Sequence, residues 1–422
     1  MKVRQGTLRL RRLFAPVRTG VAGAMSFALL TGLVACGGGA QEPFDGAVVS
    51  SDPELRRLAG ELLPDVAERA GLELREPVRV ERRTRGELEG YLRAKLDEEL
   101  PPDEAQATGR AYAMLGLVEE DLDLRALLLD LYTEQVAGFY EPDSTALFVM
   151  DDQPPDALEA LLLHELVHAV QDQTVDLDEL TDGDLGNDRA AAAHAAIEGH
   201  ATLVMLEFMM ERMTGRAVDL AEVPDFGEQL LPAIRGMQDQ FPALGSAPEV
   251  IQRSLLFPYT QGAGFVQHLW ASEGRVPPFG SRLPTSTEQV LERDLDDAPV
   301  EVTIDVEGGT VLHDGVLGRL EVGILVETHL GSEASELAHG WGGDRYVLVD
   351  VPGSDDPVLV WAVAWDSEAA RDRFLTGFNP VRDHLGPGAR LEATAVSEQP
   401  AVLLVVGDAS SLDVSLRIQS ER

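Results

Sequence analysis

His164, Glu165 and His168 are the residues of this chain whose types and spacing most directly imply chemistry. They lie in Asp156-Ala-Leu-Glu-Ala-Leu-Leu-Leu-His-Glu-Leu-Val-His-Ala-Val-Gln-Asp-Gln173, which reads as a helix. Pro154 and Pro155 end whatever precedes it. Asp156 is placed to cap the free N–H groups, with Glu159 three residues on as in a capping box. On a helix, residues four apart share a face, so His164 and His168 offer two imidazole nitrogens to one ion. Glu165 projects to the side, where it can take a proton from a water that the ion acidifies. A catalytic zinc wants three protein ligands and one open position. The bland alternative is a buried helix with two satisfied histidines. Leu158, Leu161, Leu162, Val167 and Val170 make that costly, because titratable groups in apolar surroundings need partners.

Candidates for a third ligand follow on the next helical stretch: His194, Glu198 and His200. Glu198 and His200 are two residues apart, roughly 200° around a helix, and cannot both face one ion. His194 and Glu198 are four apart and can.

The elements that must position these residues are legible in outline. From Asp52 the apolar residues Leu55, Leu58, Ala59, Leu62, Leu63 and Val66 recur at helical spacing. A strand over 77–81 and helices over 84–100, 103–115 and 122–137 follow. Gly138-Phe-Tyr-Glu-Pro-Asp-Ser144 reads as a turn, and Thr145–Met150 as an apolar strand. That strand either offers an edge for an extended substrate to pair with or is an ordinary core strand. The acid-rich run 172–188 reads as a solvated loop. A long helix over 188–213 and a helix over 254–273, broken by Pro258, come next. Pro284-Thr-Ser-Thr-Glu-Gln289 reads as a helix start. Beyond a composition shift near residue 305, a helix over 317–330 and a tight turn at Gly340-Trp-Gly-Gly-Asp344 precede a ββαββ pattern.

The chain has 422 residues, 44% of them apolar, and a formal charge of −39. That charge argues against nucleic acid or an anionic membrane surface as partner. The N-terminus is basic, with Lys2, Arg4, Arg9, Arg11, Arg12 and Arg18 before the first acid at Glu42. A short apolar run, Val21 to Ala35, ends in Leu33-Val34-Ala35-Cys36, which resembles a bacterial lipobox. Cleavage there removes six cations and no anion, leaving an acidic body lipidated on Cys36. About fifteen apolar residues is short for a retained membrane span of roughly twenty. Cys36 is the one cysteine in the sequence, so an intramolecular disulfide and a cysteine zinc site are excluded.

Ile197-Glu198-Gly199-His200-Ala201-Thr202 resembles the Asn-Glu-Gly-Phe-Ala segment that supplies the glutamate ligand in alanyl-aminopeptidase-type gluzincins. Pro258-Tyr259-Thr260-Gln261-Gly262-Ala263 resembles the Pro-Tyr-Glu-Lys-Gly segment of the same family, whose tyrosine stabilises the oxyanion. The chain is more closely similar to a set of bacterial lipoprotein metallopeptidases. The matching segments are 164–173, 198–201, 286–289 and 340–344, so the resemblance covers roughly residues 130–350. It implies zinc ligation by His164, His168 and Glu198, Glu165 as general base and Tyr259 as oxyanion donor. Glu198 lies further from His168 than in the aminopeptidases, and the Gly-x-Met-Glu-Asn element that binds a free amine has no counterpart. Exopeptidase activity is therefore not implied.

The expected architecture is α+β. A leader with its lipobox (1–36) and a tether (37–51) precede a mainly helical, zincin-like metallopeptidase domain with a small sheet (52–305). A small α+β domain follows (306–422). The expected function is zinc-dependent hydrolysis of a peptide or protein substrate at the bacterial cell envelope. The alternatives are a non-catalytic envelope binding protein with a residual metal site, and a metal-dependent hydrolase of a non-peptide bond. Glu165 favours an enzyme, because a structural site has no use for a free carboxylate beside the metal.

Overall fold

A computed structural model describes residues 46–181, 186–223, 226, 227, 229, 230, 241–386 and 388–418. The leader, the lipobox and Cys36 lie outside them. Among the described residues no helix is long and apolar enough to cross a membrane.

The expected tether runs into the fold before it ends: Val48–Val49 (β1) pairs in parallel with Val78–Arg83 (β2). Helix α1 (Pro53–Ala70) lies between these strands, capped at its start by Asp52 and ended by Gly71 in the left-handed region. Helices α2 (Arg85–Glu99), α3 (Pro102–Met114) and α4 (Leu124–Gln135) lead to a hairpin, Gly138–Glu141 (β3) and Ala146–Met150 (β4). The sequence 138–144 thus holds a strand as well as a turn. Pro142–Ser144 forms the turn, and Thr145 takes φ 48°. The sheet order is β1-β2-β4-β3. The strand over 145–150 is therefore interior, the core strand of the two alternatives, and β3 covers the edge it would otherwise offer.

Helix α5 (Pro155–Asp172) follows. It starts two residues earlier than Asp156 would cap it. Pro155 occupies the first turn, where its missing N–H costs nothing, and Glu159 instead pairs with Arg212 at 2.9 Å. The short α6 (Leu177–Leu180) interrupts the acidic run, of which residues 182–185 lie outside the described residues. Then come α7 (Asn187–Thr214), α8 (Pro242–Ser246) and α9 (Glu249–Glu273). Pro258 does not break α9. The helix begins at Glu249, so the proline falls inside it and α9 runs on to Glu273. Helix α10 (Thr287–Glu292) starts at Ser286, whose side chain accepts from Gln289 N.

The C-terminal half holds more strands than the expected ββαββ. Val302–Glu307 (β5) and Thr310–Gly315 (β6) precede α11 (Gly318–Leu330). After it come β7 (Trp341–Asp350), β8 (Val358–Trp365), α12 (Glu368–Arg382), β9 (Arg390–Val396), β10 (Gln399–Val406) and β11 (Asp413–Ile418). Gly340-Trp-Gly-Gly-Asp344 is not a turn but the bulged start of β7, with the register slipping between Trp341 and Gly343. Five antiparallel strands form one sheet, β6-β7-β8-β10-β9, and β5 pairs with β11. The composition shift near residue 305 thus falls inside a strand that already belongs to this half.

Strand β8 shows why the sheet is covered on both faces. Side chains alternate along a strand. Leu359, Trp361, Val363 and Trp365 enter the main core, against Phe374 of α12. Val358, Val360, Ala362 and Ala364 form a second cluster with Val302 and Ile304 of β5. The main core is continuous across both halves, including Leu63, Leu162, Leu203, Phe265, Leu325 and Trp361. Cutting Trp361 back to alanine would cost about 3–5 kcal/mol.

Candidate metal centre

Helix α5 packs on α1, on α7 and on the β3–β4 hairpin. Residues 161–171 are buried on every side, which fits a sequence with apolar residues on more than one stripe. His164 and His168 lie one turn apart on the side facing α7, and the carboxylate of Glu198 approaches them from that helix.

Three atoms converge. His164 Nε2 is 3.0 Å from Glu198 Oε2, His168 Nε2 is 3.1 Å from His164 Nε2, and His168 Nε2 is 3.5 Å from Glu198 Oε2. Zinc bonds to nitrogen and oxygen are about 2.0–2.1 Å, which gives tetrahedral edges of about 3.3 Å. The three separations bracket that value, and the donors are a histidine pair with a carboxylate. The cluster is therefore shaped to hold a metal ion, and the donor set suits zinc. Its members are almost wholly buried, Glu198 and Glu165 at 0% exposure and the histidines at 1–2%.

Each neighbour of the cluster has a discernible task. His194, one turn before Glu198, directs Nε2 at Glu198 Oε1 at 3.2 Å. Burial alone would push the Glu198 carboxyl up. His168 and the hydrogen bonds from His164, His168 and His194 outweigh that and hold it well below the usual range. Burial pushes His168 down, but the Glu198 and Glu165 carboxylates carry it to about 9. His200 is absent from the cluster. Its ring packs edge-on against Trp270 and Phe279, as its angular offset from Glu198 requires.

The residue that the sequence reading left without a role is Gln171. Its Nε2 donates to the Ile197 carbonyl at 3.1 Å. A carbonyl can only accept, so the amide oxygen must face the other way, toward His168. His168 Nδ1 is 2.8 Å from that oxygen and therefore carries the proton. In the neutral ring the lone pair of His168 is then on Nε2, facing Glu198. His200 Nδ1 receives the second amide proton at 3.1 Å. The signal was present: Gln171 is three residues from His168, on the same face of the helix. Asp172 accepts from Tyr140 at 2.9 Å. Tyr140 is thereby turned toward the end of α5.

Tyr259 of α9 lies beside the cluster. Its ring lies 6.3 Å from that of His164. Its hydroxyl bonds Glu198, and burial together with the Glu198 and Glu165 carboxylates holds the phenol protonated. What brings α9 so close is a pair of glycines. A Cβ on Gly262 would sit 2.1 Å from the Ala195 carbonyl oxygen, and one on Gly199 would sit 2.2 Å from Gly262. The helices cross backbone against backbone, next to Glu198 on one and one turn from Tyr259 on the other.

The two remaining motif segments act at a distance from the metal ligands. Asp188, in the first turn of α7, accepts from Thr287 N at 3.1 Å, and Thr287 Oγ1 accepts from Leu320 N at 3.0 Å. Gly318, at φ +74°, lies so close to Asp188 that a Cβ there would meet its carboxylate. Asp344 accepts from Leu317 N, Gly318 N and the indoles of Trp341 and Trp361, all within 2.9–3.1 Å. The segments 286–289 and 340–344 thus bind the C-terminal half to the start of the Glu198 helix.

Residues 306–419 match a family model described as a domain of unknown function, DUF8575. No curated protein and no solved structure matches the chain.

Proposed function

We propose that this chain is a zinc-dependent peptide hydrolase of gluzincin type, with a zincin-like N-terminal part, held at the bacterial cell envelope through lipidated Cys36. The observation that carries the reading is the convergence of His164, His168 and Glu198 on one point, with Glu165 on the same helix and Tyr259 across it.

Zinc, when bound, polarises the scissile carbonyl and acidifies a water. His164 and His168 would hold it, and Glu198 would supply the third donor. Glu165 takes the proton from the attacking water and passes it to the leaving amine. Tyr259 donates a hydrogen bond to the carbonyl oxygen as negative charge grows there. Gln171 and His194 keep His168 and Glu198 in register.

The decisive experiment is Glu165→Gln. The variant should keep about one zinc per chain and lose nearly all hydrolysis of a peptide library. Activity within a few-fold of wild type would end the proposed mechanism. Burial of the whole cluster also suits a non-catalytic metal site. In that case wild type would hold zinc and cleave nothing in the library.

A further inference from the structure

Glu288 is buried at 2% exposure in the first turn of α10. Its carboxylate receives no hydrogen bond among the described residues. A buried carboxylate without a donor is costly, and such groups call for an explanation. It does not stand alone. Asp297, in the connector after α10, and Asp366, between β8 and α12, bring carboxylate oxygens to within 4.8 Å of it and of each other. The cation near enough to act on Glu288 is Arg319. Its guanidinium is turned to Glu292, at 3.6 Å, as is His339, at 3.1 Å. Among the described residues no cation forms an ion pair with any of the three carboxylates. Burial and their mutual repulsion push Glu288 up to about 9 and Asp366 to about 6.

The surroundings are built to keep this space open. Asp366 N donates to the Gly340 carbonyl at 3.0 Å. A Cβ on Gly342 would come within 2.8 Å of Asp366 Oδ1. The glycines of the β7 start thus leave room for a carboxylate that points at Glu288. Asp366 is exposed and Asp297 half-buried, so the group opens to solvent on one side.

We propose that Glu288, Asp297 and Asp366 form a calcium site that pins the C-terminal sheet to the end of the helical half. An all-oxygen set suits a hard cation. Calcium takes six to eight oxygen ligands in flexible geometry, whereas magnesium demands a near-ideal octahedron, so a set of three carboxylates from separate elements suits calcium better. Water on the open side completes the shell. The site is remote from His164, His168 and Glu198 in chemistry, and it stands whether or not the protein hydrolyses peptides.

The test is calorimetric titration of the zinc-equilibrated full chain with calcium chloride alone, alongside thermal melts. Wild type should bind one calcium per chain and gain several degrees in Tm at saturation, because a ligand of the folded state stabilises it. Asp297→Asn and Asp366→Asn should each weaken binding by about tenfold or more. Both are solvent-accessible changes, and their calcium-free melts report whether the fold is kept. Glu288→Gln should melt higher than wild type without calcium, because it needs no proton taken up on burial, and should show no calcium response. Two results would overturn the site. One is a wild-type Tm that millimolar calcium leaves unchanged. The other is calcium binding that survives undiminished in folded Asp297→Asn and Asp366→Asn.

Discussion

Gly199 and Gly262 touch backbone to backbone where α7 crosses α9. The contact sets the distance between Glu198 on one helix and Tyr259 on the other. Both glycines belong to segments that look, in sequence, as though only their polar residues matter.

Gly262→Ala should therefore act on the metal centre without touching it. Overpacking typically costs about 1–3 kcal/mol, and here the added methyl meets a carbonyl oxygen that cannot rotate away. We expect a lower Tm and less than one zinc per chain by metal analysis. Gly60→Ala is the control. It lies within α1, where a Cβ meets nothing within 4 Å, so it should gain up to about 1 kcal/mol. A Gly262→Ala protein with wild-type Tm and full zinc would show that the helices can part freely.

Gln171→Leu removes the amide that fixes His168. His168 Nδ1–H and the Ile197 carbonyl then lose partners in a dry site. Outer-sphere losses of this kind typically weaken metal binding about 10- to 100-fold. Competition with a chelator of known affinity measures the change. An unchanged zinc Kd would mean that the ring is held by packing alone.

Tyr259→Phe keeps the ring and removes the hydroxyl. Loss of one oxyanion donor typically lowers kcat about 100- to 1000-fold. KM and zinc content should move little, since the donor acts as charge develops. A kcat within about threefold of wild type would make Tyr259 a packing residue whose hydroxyl serves Glu198.

Asp188 offers a pH test away from the metal ligands. Burial raises its carboxyl from the ordinary aspartate range to about 7, despite the hydrogen bonds from Thr287. The folded state holds this proton more tightly than the unfolded one. Stability from this group is thus full below about pH 4 and drains away as pH rises toward 7. Asp188→Asn has no such proton to lose. The difference in Tm between variant and wild type should move in the variant's favour between pH 5 and 8 and stay level above that. A difference that does not change with pH would mean that Asp188 titrates normally.

The metal helix was the most readable part of the chain because its evidence is local. The spacing of His164 and His168, the apolar residues around them and the prolines before them all lie within twenty positions. Helix angle set Glu198, with His194 on its face, against His200, and the resemblance decided between them. Gly262 could not be read, since its meaning depends on Ala195 across a distance in sequence that no periodicity spans. Pro258 misled for a related reason: a proline signals a break locally, while packing of α9 on α7 carries the helix through it. Strands β5 and β11 do alternate, Val302, Ile304 and Val306 against Val414, Leu416 and Ile418. Each is short, and they recognise one another from nearly opposite ends of the C-terminal half.

Asp188 opens the helix that bears Glu198, yet the groups that close over it arrive with Thr287 and Gly318. A chain grows from its N-terminus, so all the proposed ligands are made before the frame that holds their helix. Until Gly318 has joined the fold, the first turn of α7 is uncovered and its aspartate is free to ionise in water. Under the proposed function, tight metal capture is then a late event, reserved for the finished chain. A half-made one would let an ion go again.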